Sequence, residues 1–146
     1  MPSTLENRHR IRKSFGSLTA PIKVPHLLKV QLDSFERFLQ RDVPPDQRED
    51  KGLEAVFRSV FPVSDYSGSS TLEYVHYRLG DPKYSVEECR VRGVTFACPV
   101  RAALRLIVWE KDTESDVKHI RDIKEQDIYL GELPLMTPTG SFIING

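Results

Sequence analysis

The feature that most constrains this chain is a change of hydrophobic period at Pro62. Upstream, Leu28, Leu32, Phe35 and Leu39 recur at offsets of four, seven and eleven, and Leu53, Val56, Phe57, Val60 and Phe61 at offsets of three, four, seven and eight. Both sets place apolar side chains on one face of a helix. Downstream the period falls to two. Val75, Tyr77 and Leu79 alternate within Leu72 to Leu79, and Val100, Ala102, Leu104, Leu106 and Val108 alternate with Arg101, Ala103 and Arg105. That is the pattern of strands with one buried face. Helices grouped ahead of strands predict an α+β fold, with two N-terminal helices packed on a mostly antiparallel sheet.

The breaker residues set the boundaries. Residues 1–24 read as an extended basic N-terminal arm, and residues 25–146 as the folded part. Pro25 suits the first turn of the first helix, where its missing N–H costs nothing. Pro44-Pro45 stops that helix, and Pro62 stops the second. Ser85, followed by Glu87 and Glu88, caps a short helix over Val86 to Arg92. A polar loop over residues 111–117 joins the clearest strand, Val100 to Glu110, to a returning strand over Ile120 to Leu130. Gly131 reads as a break, Pro138-Thr139-Gly140 as a tight turn and Ser141 to Ile144 as a last strand. The chain stops at Asn145-Gly146 while still building sheet. A natural terminus is usually polar and frayed, so the expectation is a truncated N-terminal piece of a larger domain.

Little in the composition points to chemistry. The formal net charge is zero, which argues against electrostatically dominated binding of nucleic acid. Arg8, Arg10, Arg12 and Lys13 are the exception. They read either as a solvated arm or as a nucleic-acid or assembly contact. Cys89 and Cys98, with no secretory signal, read as reduced intracellular thiols. Their separation does not fit zinc, and His76 and His119 are too isolated to complete a site, so no metal is expected. No apolar run approaches a membrane span. The glycines form no phosphate loop, and the acidic pairs Glu49-Asp50 and Glu87-Glu88 are sequence neighbours that point apart. No catalytic residue is expected. Tyr74, Tyr77 and Tyr84 are candidates for a base-stacking platform, but without basic residues in register they read as packing.

One segment fits poorly as core. Ile123 stands alone among Arg121, Asp122, Lys124, Glu125, Gln126 and Asp127. One apolar side chain in a charged strand suits an edge that offers backbone hydrogen bonds and a single anchor to a partner. The competing reading packs Ile123 inward and leaves the charges to solvate an edge.

Four blocks carry a family resemblance. They are VPHLLKVQLDSFERFLQRDVPP, GLEAVFRSVFPVSDYSG, YRLGDPKYSVEECRVRGVTFACPVRAALRL and IKEQDIYLGELPLMTPTGSFIING. In this order they are similar to the N-terminal, protrusion region of the beta subunit of bacterial DNA-directed RNA polymerase. The resemblance implies a cytoplasmic nucleotidyltransferase that makes RNA on a DNA template from ribonucleoside triphosphates. It implies alpha, beta prime, omega and sigma subunits as partners, and magnesium bound on another subunit, with no cofactor in this stretch. This stretch would be scaffold, DNA-channel wall and docking surface. Ile123, Lys124 and Glu125 match a docking strand for the transcription-repair coupling translocase and CarD-type regulators. The family's protrusion is discontinuous, so an apolar patch is expected near Phe142-Ile143-Ile144. The rival reading is a free-standing, non-catalytic interaction module that uses a sheet edge.

Overall fold

Among the described residues there are three α-helices and four strands, and the short strand Val63–Ser64 had no counterpart in the sequence reading. The computed structural model describes Gly16, Ile22, residues 24–111 and residues 117–146. The basic cluster Arg8, Arg10, Arg12 and Lys13 lies outside the described residues. The helices are α1 (Lys29–Leu39), α2 (Leu53–Val60) and α3 (Val86–Arg92). The strands are β1 (Val63–Ser64), β2 (Ser70–Leu79), β3 (Ala97–Lys111) and β4 (Lys118–Pro134). They form one antiparallel sheet in the order β1-β2-β3-β4.

Each end of α3 is fixed by local chemistry. The Ser85 hydroxyl accepts from the Glu88 N–H, and the Glu88 carboxylate accepts from the Ser85 N–H. This reciprocal cap satisfies two backbone donors that the helix leaves open. Gly93 ends the helix in the left-handed conformation.

The sheet carries three bulges, and they decide which side chains share a face. Reading β3 as the uninterrupted ruler, the β2 ladder skips Val75, between Tyr74↔Leu104 and His76↔Ala103. The β4 ladder skips Leu130, between Tyr129↔Arg101 and Gly131↔Val100. It also skips Arg121, between Asp122↔Val108 and Ile120↔Trp109. Each extra residue reverses the in–out alternation of its strand. Tyr74 and Tyr77, three apart, therefore point to one side. Both stack on Phe57 of α2, with ring centroids 5.0 and 5.6 Å away.

That side is the core. Leu39 of α1, Cys98 of β3 and Leu135 are buried together, with Phe35, Leu53, Leu79, Phe96 and Leu133 packed around them. Burial raises the Cys98 thiol pKa, as expected for a group that would have to ionise away from water. Tyr77 donates its hydroxyl to the Leu39 carbonyl, tying β2 to the end of α1. Glu54 is the buried residue of α2, which the hydrophobic stripe did not anticipate. Its carboxylate accepts from the Tyr74 hydroxyl at 2.7 Å and from Arg58 at 2.9 Å. Burial, then the hydrogen bond to Glu54 and its charge, pushes the Tyr74 phenol well above its ordinary pKa. Val56 and Val60, read from sequence as part of the buried stripe, are exposed instead. The Tyr74–Glu54 hydrogen bond ties the helix to the sheet where the valines do not, and Arg58, one turn along the same helix, pairs with the carboxylate.

Two further expectations change. Gly131 does not break the strand, because β4 runs through it to Pro134 with Gly131 beside the Leu130 bulge. Ser141 to Ile144 is not a strand, and Phe142 makes one isolated bridge to Met136. The hydroxyls of Thr137, Thr139 and Ser141 close this turn on one another, while the Ile143 carbonyl accepts from Phe96 N–H. Phe142 and Ile144 are 47% and 56% exposed, whereas Ile143 is core. The expected patch is there in two of its three side chains.

Candidate docking edge

Among the described residues β4 is the outer strand, and one row of its backbone groups has no neighbouring strand there. Two hydrogen bonds identify the row. Trp109 donates its backbone N–H to the Ser69 carbonyl at 2.7 Å, and the Pro99 carbonyl accepts from Gly80 N–H at 2.9 Å. The odd-numbered residues of β3 therefore turn their backbone groups to β2, and the even-numbered ones turn to β4. Their β4 partners Asp122, Lys124, Gln126 and Ile128 are consumed within the sheet. Ile123, Glu125, Asp127 and Tyr129 pair with odd-numbered β3 residues, so their N–H and C=O groups face outward. Between the Arg121 and Leu130 bulges the ladder is regular, which gives an unbroken row of outward backbone groups.

The same parity sorts the side chains. Ile123, Glu125, Asp127 and Tyr129 share a sheet face with Thr71, Glu73, His76 and Arg78 of β2, and with Arg101, Ala103, Arg105 and Ile107 of β3. It is the face opposite α1 and α2. The sequence-predicted trio is thus split. Ile123 and Glu125 lie on the helix-free face, and Lys124 points to the other. Ile123 is 51% exposed. The Arg105 Nη2 reaches the Glu125 carboxylate at 3.0 Å, and Arg78 lies 3.7 Å from Asp127. Lys124 lies 3.6 Å from Asp122. These exposed pairs orient the charges more than they stabilise the fold.

The other sequence candidates fall elsewhere. Tyr74 and Tyr77 are packing residues, while Tyr84 is flanked by Arg92 at 4.8 Å and Lys83 at 5.2 Å. Among the described residues, no three His, Cys, Asp or Glu side chains gather to hold a metal ion, and no helix is long and apolar enough to cross a membrane. A groove of about 1260 Å³ runs along α1, lined in part by Phe35, Phe38, Phe96, Leu135, Met136 and Pro138.

A helix-backed sheet that ends in a long, open, charged strand defines a module suited to association through its edge. Comparison with known proteins gives the family. A model of the RNA polymerase beta subunit matches residues 26–146. The DNA-directed RNA polymerase beta subunits of Syntrophobacter fumaroxidans and Geobacter sulfurreducens are each 51% identical over 146 residues, covering 100% of this chain and 11% of theirs. That of Myxococcus xanthus is 49% identical over 146 residues, covering 100% of this chain and 10% of its own. The chain belongs to the RNA polymerase beta subunit family, and it spans about a tenth of the length of these relatives.

Proposed function

We propose that this chain works as the N-terminal portion of a DNA-directed RNA polymerase beta subunit, in a cytoplasmic enzyme that copies DNA into RNA from ribonucleoside triphosphates. Its partners there are the alpha, beta prime, omega and sigma subunits and the DNA template. The magnesium for nucleotidyl transfer belongs to another subunit. This stretch supplies scaffold, channel wall and a docking edge. Later segments of the subunit cover the groove along α1 and the exposed Phe142 and Ile144 side chains.

At the edge, a transcription-repair coupling translocase or a CarD-type regulator adds a strand to β4. The observation that carries this reading is the outward backbone row at Ile123, Glu125, Asp127 and Tyr129. Main-chain pairing supplies affinity, and the side chains beside it supply selectivity. Ile123 is the apolar anchor. Burying an isoleucine contributes about 1.5–3 kcal/mol, and a side chain already half covered should fall at the lower end. In assembled polymerase, Ile123→Ala should therefore raise the Kd for the translocase's isolated polymerase-binding β-domain about tenfold, with little change in subunit stability. Glu125→Lys should weaken binding further, because it sets two cations side by side with Arg105 and reverses a rim charge. That part should fade as salt rises. Unfolding by Ile123→Ala, or unchanged binding in both variants, would contradict the proposal.

A further inference from the structure

The geometry points to a second apolar subsite on this edge, made by Ile120 with Trp109 and Ile107, which receives an aliphatic or aromatic side chain of the added strand. The inference rests on strand docking at β4 and goes beyond it by defining what the incoming strand must carry.

In sequence, Ile120 and Ile123 are three apart and should point to opposite faces of a regular strand. The Arg121 bulge removes one step, so Ile120 pairs with Trp109 and Ile123 with Ile107. Trp109 and Ile107 are two apart on the unbroken β3, so all four side chains share the helix-free face. The Trp109 indole N–H donates to the Thr71 hydroxyl at 3.3 Å, which fixes the ring on that face. Ile107 is buried, while Ile120 and Ile123 are 52% and 51% exposed. Ile123 is therefore not a lone anchor. It is the inner half of an exposed pair seated on Ile107 and Trp109.

The occupant is set by the backbone. Trp109 gives its N–H to Ser69, so its β4 partner Ile120 also turns its backbone groups outward, in line with Ile123, Glu125, Asp127 and Tyr129. Outward amides and carbonyls in a row are satisfied by an extended strand and not by a helix or a small molecule. A strand pairing across the bulge as β3 does places residues two apart opposite Ile123 and Ile120. The complementary partner thus carries apolar residues at positions i and i+2 on the face away from α1 and α2. The charged stretch Glu125 to Asp127 then lies beyond the apolar end.

The test uses assembled polymerase and the same translocase β-domain as probe, with Kd as the readout. Ile120→Ala should weaken binding about fivefold alone, and Ile120→Val less than twofold. Substituting alanine for the probe residue two positions from the one facing Ile123 should abolish the response to Ile120→Ala but not the response to Ile123→Ala. Ile120→Thr, which keeps the branched strand geometry, provides a second variant if Ile120→Ala disturbs subunit assembly, and it should also weaken binding. Loss of affinity in Ile123→Ala with none in Ile120→Ala or Ile120→Thr would overturn the second subsite and leave strand docking intact. Unchanged affinity in all three would overturn docking itself, and the subsite with it.

Discussion

Replacing Tyr77 with alanine is expected to destabilise the fold by about 4 kcal/mol, the range found when a large buried aromatic is cut to alanine. Tyr77 has no exposed surface. Its ring stacks on Phe57 at 5.6 Å, and the Arg48 guanidinium sits over it at 3.9 Å. Arg48 also donates to the Tyr77 carbonyl at 2.8 Å, so the same residue braces both ring and backbone. The hydroxyl reaches the Leu39 carbonyl at the end of α1. Loss of the ring would unseat α2, and loss of the hydroxyl would release α1. Tyr77→Phe separates the two contributions. It keeps the ring and leaves a buried carbonyl without its donor, which should cost about 1–2 kcal/mol. Urea unfolding read by Trp109, the single tryptophan of the chain, measures both. Equal effects of the two substitutions would contradict this division.

Gly52→Ala is expected to cost about 3 kcal/mol. Gly52 precedes α2 at φ 59 and ψ −128, a region that residues with a side chain occupy only under strain of about 1–3 kcal/mol. An added Cβ would also lie 2.5 Å from the Phe38 carbonyl oxygen and 2.7 Å from the Phe38 Cα. Those are backbone atoms of α1 and cannot swing aside. The approach is pinned from the other side by Gln40. Its amide donates to the Glu49 and Lys51 carbonyls at 2.9 and 3.0 Å and accepts from Glu49 N–H at 2.8 Å. Gly131→Ala is the control. It too has a positive φ, of 145, but a Cβ there meets nothing within 4 Å. It should show strain alone, at about 1 kcal/mol. If the two glycine variants unfold at the same urea concentration, close approach of the loop to α1 is not what Gly52 provides.

Much of the architecture is legible in the residues. Leu32, Phe35 and Leu39 fall on α1 with Leu28 as its N-terminal cap residue, and the capping pattern at Ser85 marks the start of α3. What the sequence hides is parity. A bulge has no compositional mark in Glu73-Tyr74-Val75-His76 or in Ile120-Arg121-Asp122, because it depends on how the partner strand is laid alongside. The shared face of Tyr74 and Tyr77 therefore left no mark in the sequence, and Ile123 looked solitary. The buried role of Glu54 was hidden for a related reason. Its partner Tyr74 is 20 residues away, and only the tertiary fold brings them together. The final Phe142-Ile143-Ile144 run has strand composition, but Phe142 makes an isolated bridge to Met136 and the Ile143 carbonyl accepts from Phe96 N–H, so composition overstated it. One apolar residue in a charged strand singled out Ile123 without deciding between docking and inward packing, and only the family resemblance proposed Ile123, Lys124 and Glu125 as a docking trio. The division of its side chains between two faces needed the ladder.

Strand docking at β4 is tested most directly by amide hydrogen exchange at single-residue resolution, on polymerase with and without the translocase β-domain. The amides of Asp122, Lys124, Gln126 and Ile128 are already bonded to β3 and should be slow in both states. Those of Ile123, Glu125, Asp127 and Tyr129 should exchange fast in the free enzyme and become protected on binding, giving an alternating pattern along the strand. Protection that is absent from these four amides, or confined to another surface of the subunit, would contradict docking by strand addition at this edge.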